Sequence, residues 1–157
     1  MFINGVFEGG GIKGLAYIGV IRFLEERGFR FLHAGGSSVG SLFASLILAR
    51  YNSYDLEELV KNFDLNILIT SKAKKPIQKF INGIKYKGLY TMKYFENYLR
   101  NILASRGITT FMDLKMGEDY LLKIVVTDIK NRKMITIPND LAYYNYSKDN
   151  FPVAKAV

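Results

Sequence analysis

The chain has 157 residues, with 22 Lys and Arg against 14 Asp and Glu, for a formal charge of +8. Hydrophobic content of 49% and aromatic content of 14% exclude disorder and specify one packed domain, burying about 70% of its unfolded surface. With no cysteine, disulfides and thiolate metal sites are excluded, and the single histidine, His33, argues against a histidine-based metal site. In chain order, Phe2 to Phe7 predicts a buried strand ended by Gly9-Gly10-Gly11. Gly14 to Glu26 reads as a helix, apolar nearly all round until Glu25-Glu26-Arg27 and stopped by Gly28. Phe29 to Ala34 is a second strand, after which Gly35-Gly36 begin a turn, and Ser41 to Tyr51 is a second apolar helix. Alternating strand and helix predicts an α/β fold in three layers, a mostly parallel central sheet with helices on both faces.

The middle of the chain reads as helical. Tyr54 to Phe63 follows Ser53 as N-cap, and Met92 to Ser105 is a helix ended by Gly107. The β-branched run Leu121 to Asp128 predicts a third central strand, with Met134 to Ile137 as its partner through the turn Lys130-Asn131-Arg132. Pro152 opens a last helix, and the chain stops inside that element. The N-terminus has no basic stretch leading into an apolar run, so no signal peptide is expected. The longest apolar stretch, Leu42 to Ala49, falls far short of the ~20 residues that span a bilayer, so a cytoplasmic protein is expected.

The charge is unevenly placed. Six lysines (Lys72, Lys74, Lys75, Lys79, Lys85 and Lys87) stand between Ser71 and Gly88 with no acidic residue, and the rest of the chain is close to neutral. A nucleic-acid protein spreads basic charge along a face or a recognition helix, so nucleic acid is not an expected partner. Ile77, Phe80, Ile81 and Ile84 recur at one helix face among these lysines, the pattern of peripheral contact with an anionic membrane through Lys72–Lys87 or of an ordinary surface helix.

Two glycine motifs carry the chemistry. Gly9-Gly10-Gly11-Ile12-Lys13-Gly14 satisfies G-x-G-x-x-G, but no carboxylate stands at Phe31 to Ala34, where a dinucleotide site needs one. The Walker pattern fails as well, since Leu15 and Ala16 occupy its Lys and Ser/Thr positions. No cofactor is therefore expected. What remains is a run of backbone N–H groups at the start of a helix, suited to an anion. Gly36-Ser37-Ser38-Val39-Gly40 is G-x-S-x-G between a strand and a helix, the setting of a nucleophile elbow with Ser38 at its apex. His33 lies five residues before Ser38 on the feeding strand, roughly 15 Å away at 3.3 Å per residue, which makes a Ser-His-Asp triad improbable. A carboxylate acting directly on the serine is the simple arrangement left.

Together these motifs resemble the N-terminal half of the patatin-like phospholipases, acyl hydrolases with a Ser–Asp dyad. The resemblance extends to Thr110-Phe111-Met112-Asp113-Leu114 and to Ile124-Val125-Val126-Thr127-Asp128. It implies Ser38 as catalytic nucleophile, an oxyanion hole from Gly10, Gly11 and Ile12, and Gly9, Lys13, Gly14, Gly36 and Gly40 as the supporting motif, acting on a lipid or acyl-ester substrate. The family's aspartate is followed by glycine, and none of the seven aspartates here is. Residues 1–157 are thus expected to be the N-terminal portion of a single patatin-like acyl hydrolase domain, with the dyad aspartate beyond Val157 and the fragment inactive alone. The alternatives are a non-catalytic lipid-binding or regulatory module of the same fold, and an acyltransferase. The latter class commonly places His before the elbow serine, where this chain has Ser37.

Overall fold

Phe2–Phe7 (β1) and Arg30–Gly36 (β2) form two parallel strands, paired from Phe2 opposite Arg30 to Phe7 opposite Gly36 with a register shift between Ile3 and Asn4. The computed structural model describes residues 1–63 and 88–157. Between β1 and β2, a 3-10 turn over Gly11–Leu15 leads into Ala16–Glu26 (α1), ended by Gly28 at φ 77. Val39–Leu48 (α2) and Ser53–Asn62 (α3) follow β2. Then come Gly88–Ala104 (α4), the two-residue hairpin strands Lys115–Met116 (β3) and Asp119–Tyr120 (β4), and Leu122–Asp128 (β5). Lys133–Ile137 (β6) and Val153–Ala156 (α5) follow, with short 3-10 helices at Phe111–Leu114 and Leu141–Tyr144. The main sheet runs β1-β2-β5-β6, parallel except for the β5–β6 pair. The α/β class and the mostly parallel sheet are as the sequence predicts.

Register sorts the strand residues onto two faces. Gly5, Phe7, Ala34, Gly36, Leu122, Ile124 and Ile137 share one face, against which α2 packs across β1, β2 and β5. Tyr17 of α1 stacks edge-on against Phe7 and Phe43, so α1 lies on this side as well. The strand order advances in one direction, and right-handed crossovers then deliver both helices to the same face. Among the described residues the opposite face is open. Its Asn4 and Val6 are exposed, Val6 at 92%.

The core gathers Leu99 and Leu103 of α4, Phe111, Leu122 and Ile124 of β5, and Val153 of α5, each at most 1% exposed. Burying one such aliphatic side chain stabilises the fold by about 1.5–3 kcal/mol. α1 departs from the expected all-round apolar helix. It buries Ile21, while Val20 and Phe23 stay about half exposed. The cap of α3 also differs from expectation. Asn52 accepts from the N–H of Tyr54 and Asp55, and Asp55 accepts in return from the N–H of Asn52, a reciprocal box that leaves Ser53 as the buried first helical residue. The basic segment Lys72–Lys87, with its Ile77-Phe80-Ile81-Ile84 stripe, lies outside the described residues. Among the described residues no helix is long and apolar enough to cross a membrane.

Candidate active site at the ends of β1 and β2

Phe7 ends β1, Gly36 ends β2, and the two are paired, so both glycine motifs leave the sheet side by side at its carboxyl edge. This edge is where open α/β sheets place their ligands. β2 runs through Gly35 and Gly36, which the sequence assigns to a turn. Gly35 belongs in the strand because its backbone passes Lys123 too closely for a side chain, with a Cβ falling 2.8 Å from that carbonyl oxygen.

The elbow depends on missing Cβ atoms. A Cβ on Gly36 would lie 2.5 Å from the carbonyl carbon of Gly40 and 2.6 Å from the Phe7 oxygen. One on Gly40 would collide with the Phe7 carbonyl oxygen and sit 2.6 Å from that of Glu8. Between them Ser38 takes φ 51 and ψ −131, a strained conformation for a residue with a side chain. Ser38 stands at the N-cap of α2, where serine ordinarily accepts from the helix N–H groups, yet its hydroxyl makes no capping bond. The positive φ turns it outward and leaves it exposed. The first turn of α2 is closed instead by Ser41, whose hydroxyl donates to the Ser38 carbonyl at 2.6 Å.

The glycine loop lies against this elbow. A Cβ on Gly9 would come within 3.2 Å of the Ser38 Cβ, and one on Gly14 within 2.8 Å of the Val39 side chain. Gly10 and Gly11 are exposed, Gly11 at φ 54, and the Lys13 N–H closes the turn on the Gly10 carbonyl at 3.2 Å. The N–H groups that open a helix have no intrahelical acceptor, so those of Gly11 and Ile12 remain available to a ligand oxygen. Gly10, Gly11, Ile12 and Ser38 are thus brought to one exposed corner, with Gly14, Gly36 and Gly40 packed underneath. An open recess of about 680 Å³ begins beside it, lined by Phe7, Glu8, Tyr17 and Ser37 and continuing towards Lys123 and Val125.

His33, Asp119 and Asp128 are engaged away from Ser38. His33 faces the open side of the sheet, with Nδ1 3.1 Å from Asn4 Oδ1 and Nε2 3.1 Å from Asp119 Oδ2. Asp119 is held below the usual carboxylate range, chiefly by the Lys123 ammonium that donates to it. Asp128 ends a neighbouring strand, but its carboxylate accepts from the Tyr144 hydroxyl at 2.5 Å and from the side chain and backbone N–H of Asn131. These donors, Tyr144 foremost, lower its pKa to about 2, and it braces the β5–β6 turn. Among the described residues no cluster of three or more histidine and carboxylate groups has the arrangement of a metal site. Sequence reasoning missed Tyr17, which belongs to neither motif and carries no local signal beyond an aromatic on the helix that follows the glycine loop.

Residues 5–156 match the profile of the patatin-like phospholipases. The chain belongs to that family. Over 160 residues it is 36% identical to the uncharacterised protein YqhO of Bacillus subtilis (strain 168), covering 100% of this chain and 54% of YqhO. A 46-residue stretch is 52% identical to lysophospholipase NTE1 of Mycosarcoma maydis, covering 29% of this chain and 2% of that protein. The chain therefore spans about half, or less, of the length of these curated relatives. Among solved structures it resembles the type III effector protein ExoU, with a TM-score of 0.62 and 18% identity over 98% of this chain and 38% of that one. ExoU in complex with SpcU from Pseudomonas aeruginosa gives a TM-score of 0.59 and 21% identity over 99% and 40% of the two chains. At this identity the likeness establishes the fold.

Proposed function

We propose that the protein is a lipid acyl hydrolase in which Ser38 attacks the ester carbonyl. The acyl group passes to Ser38 Oγ as the alcohol leaves, and water then releases it as the acid. The N–H groups of Gly10, Gly11 and Ile12 receive the tetrahedral oxyanion at each step, where one such donor contributes about 3 kcal/mol of transition-state stabilisation. Lys13 adds positive charge to the same loop. The observation that carries this reading is the uncapped Ser38 hydroxyl, at φ 51, beside the glycine loop on the adjacent strand end. A module that only binds lipid has no use for a strained serine next to a run of open amides.

The proton acceptor in this reading is an aspartate of a Ser–Asp dyad outside residues 1–157. Three points support that assignment. His33 is engaged by Asn4 and Asp119, Asp128 is engaged by Tyr144 and Asn131, and the chain covers only 54% of YqhO. Residues 1–157 are accordingly the N-terminal part of one catalytic domain, inactive in isolation.

The test is fatty-acid release from phospholipid vesicles by the full-length protein and its Ser38→Ala variant. Loss of a nucleophile is expected to lower the rate by at least about 10³-fold. Equal release by the two proteins, or none by the wild type, would overturn the proposal.

A further inference from the structure

Tyr17 lies outside both motifs, yet it contacts the segments that flank each of them. Its hydroxyl donates to the carbonyl oxygen of Glu8 at 2.9 Å, in the last peptide before the glycine loop. Its ring stands edge-on to Phe7, with centroids 5.2 Å apart, and to Phe43, with centroids 5.5 Å apart. Phe7 ends β1, from which the loop departs, and Phe43 belongs to α2, which Ser38 opens. One residue of α1 thus grips the root of the glycine loop, the strand feeding it and the elbow helix together.

The peptide it holds is a decisive one. The Glu8 carbonyl passes so near α2 that a Cβ on Gly40 would lie 2.6 Å from its oxygen. In a planar trans peptide the C=O and the following N–H point in opposite directions, so fixing the Glu8 carbonyl also fixes the plane in which Gly9 starts. Downstream of that point come three consecutive glycines, the residues with the widest backbone freedom. The Tyr17 hydrogen bond is the side-chain anchor upstream of that free run.

We infer that Tyr17 is a positioning residue for acyl transfer, which holds the glycine-loop amides in place over Ser38. The inference rests on the reading of Ser38 as nucleophile and of Gly10, Gly11 and Ile12 as oxyanion donors. Tyr17 touches no reacting atom. It acts through the Glu8–Gly9 peptide, whose misplacement weakens donors that matter in the transition state more than in substrate binding.

Tyr17→Phe in the full-length protein removes the hydroxyl and keeps the ring between Phe7 and Phe43. The expected result is a fall in kcat of about ten-fold at unchanged KM, with Tm within about 2 °C of wild type. The rate at which a fluorophosphonate modifies Ser38 should fall by the same factor, because its phosphoryl oxygen occupies the oxyanion position. Amide hydrogen exchange should quicken at Lys13, whose N–H closes the loop turn on the Gly10 carbonyl, and stay at the wild-type rate elsewhere. Wild-type kcat, labelling and exchange in Tyr17→Phe would overturn the inference. So would a loss confined to KM, or faster exchange throughout the protein, which would mark a role in stability only. A wild-type protein that the probe leaves unmodified at Ser38 would instead remove the underlying reading of the site.

Discussion

At Ser38 stability and the proposed activity pull apart. A side chain at φ 51 and ψ −131 costs of order 1–3 kcal/mol, and the fold tolerates it because Gly36 and Gly40 let the turn press against the Phe7 carbonyl. Ser38→Gly relieves that strain, so it should raise stability by about 1 kcal/mol, or Tm by about 2–4 °C, while abolishing acyl transfer. Calorimetry on the variant and wild type checks this, and a lowered Tm would show that the conformation carries no strain. Gly40→Ala acts in the opposite sense. Its Cβ collides with a backbone oxygen that has no room to move without shifting β1, so a loss of about 3 kcal/mol or more is expected in a urea titration.

Among the elements, the β5–β6 hairpin owes its turn to Asp128. With the Asp128 pKa lowered to about 2 from 3.8, its folded state favours the ionised form. That contribution is complete above about pH 4 and fades as the pH falls towards 2. Asp128→Asn should therefore be less stable than wild type at neutral pH, and the difference should close in acid. A gap that persists at pH 2 would show that the side-chain shape, and not its charge, holds the turn.

The same element shows what could be read in advance. The strand Leu122–Asp128 and its antiparallel partner were legible from β-branched runs on either side of Lys130-Asn131-Arg132. The elbow and glycine loop were legible too, because close backbone approach leaves glycine as its signature. The β3–β4 hairpin was not, since two-residue strands set up no periodicity. Gly35 and Gly36 read as a turn because strand glycines forced by a neighbouring backbone look identical to turn glycines. The Asn52–Asp55 cap lay one residue from the Ser53 expected to serve. Tyr17 was beyond sequence reasoning, since its partners, Phe7, Glu8 and Phe43, are set by the packing of α1 between β1 and α2.

For the whole molecule, the one-way strand order explains why α1 and α2 gather on one face of the sheet and, among the described residues, leave Phe2, 70% exposed, and Val6, 92% exposed, on the strand at its edge. Edge strands and bare apolar faces favour association. Residues 1–157 expressed alone should therefore self-associate in sedimentation. Under the proposed dyad they should also hydrolyse ester at least about 10³-fold more slowly than the full-length protein. Ser38-dependent hydrolysis at comparable rates would place the base within these residues.

The central claim is that Ser38 is an activated nucleophile, and it is tested most directly by peptide mapping of the full-length protein after fluorophosphonate treatment. The expected result is a single phosphonyl adduct on Ser38 that is absent from Ser38→Ala. An adduct on another residue, equal labelling of the variant, or an unmodified wild type would contradict it.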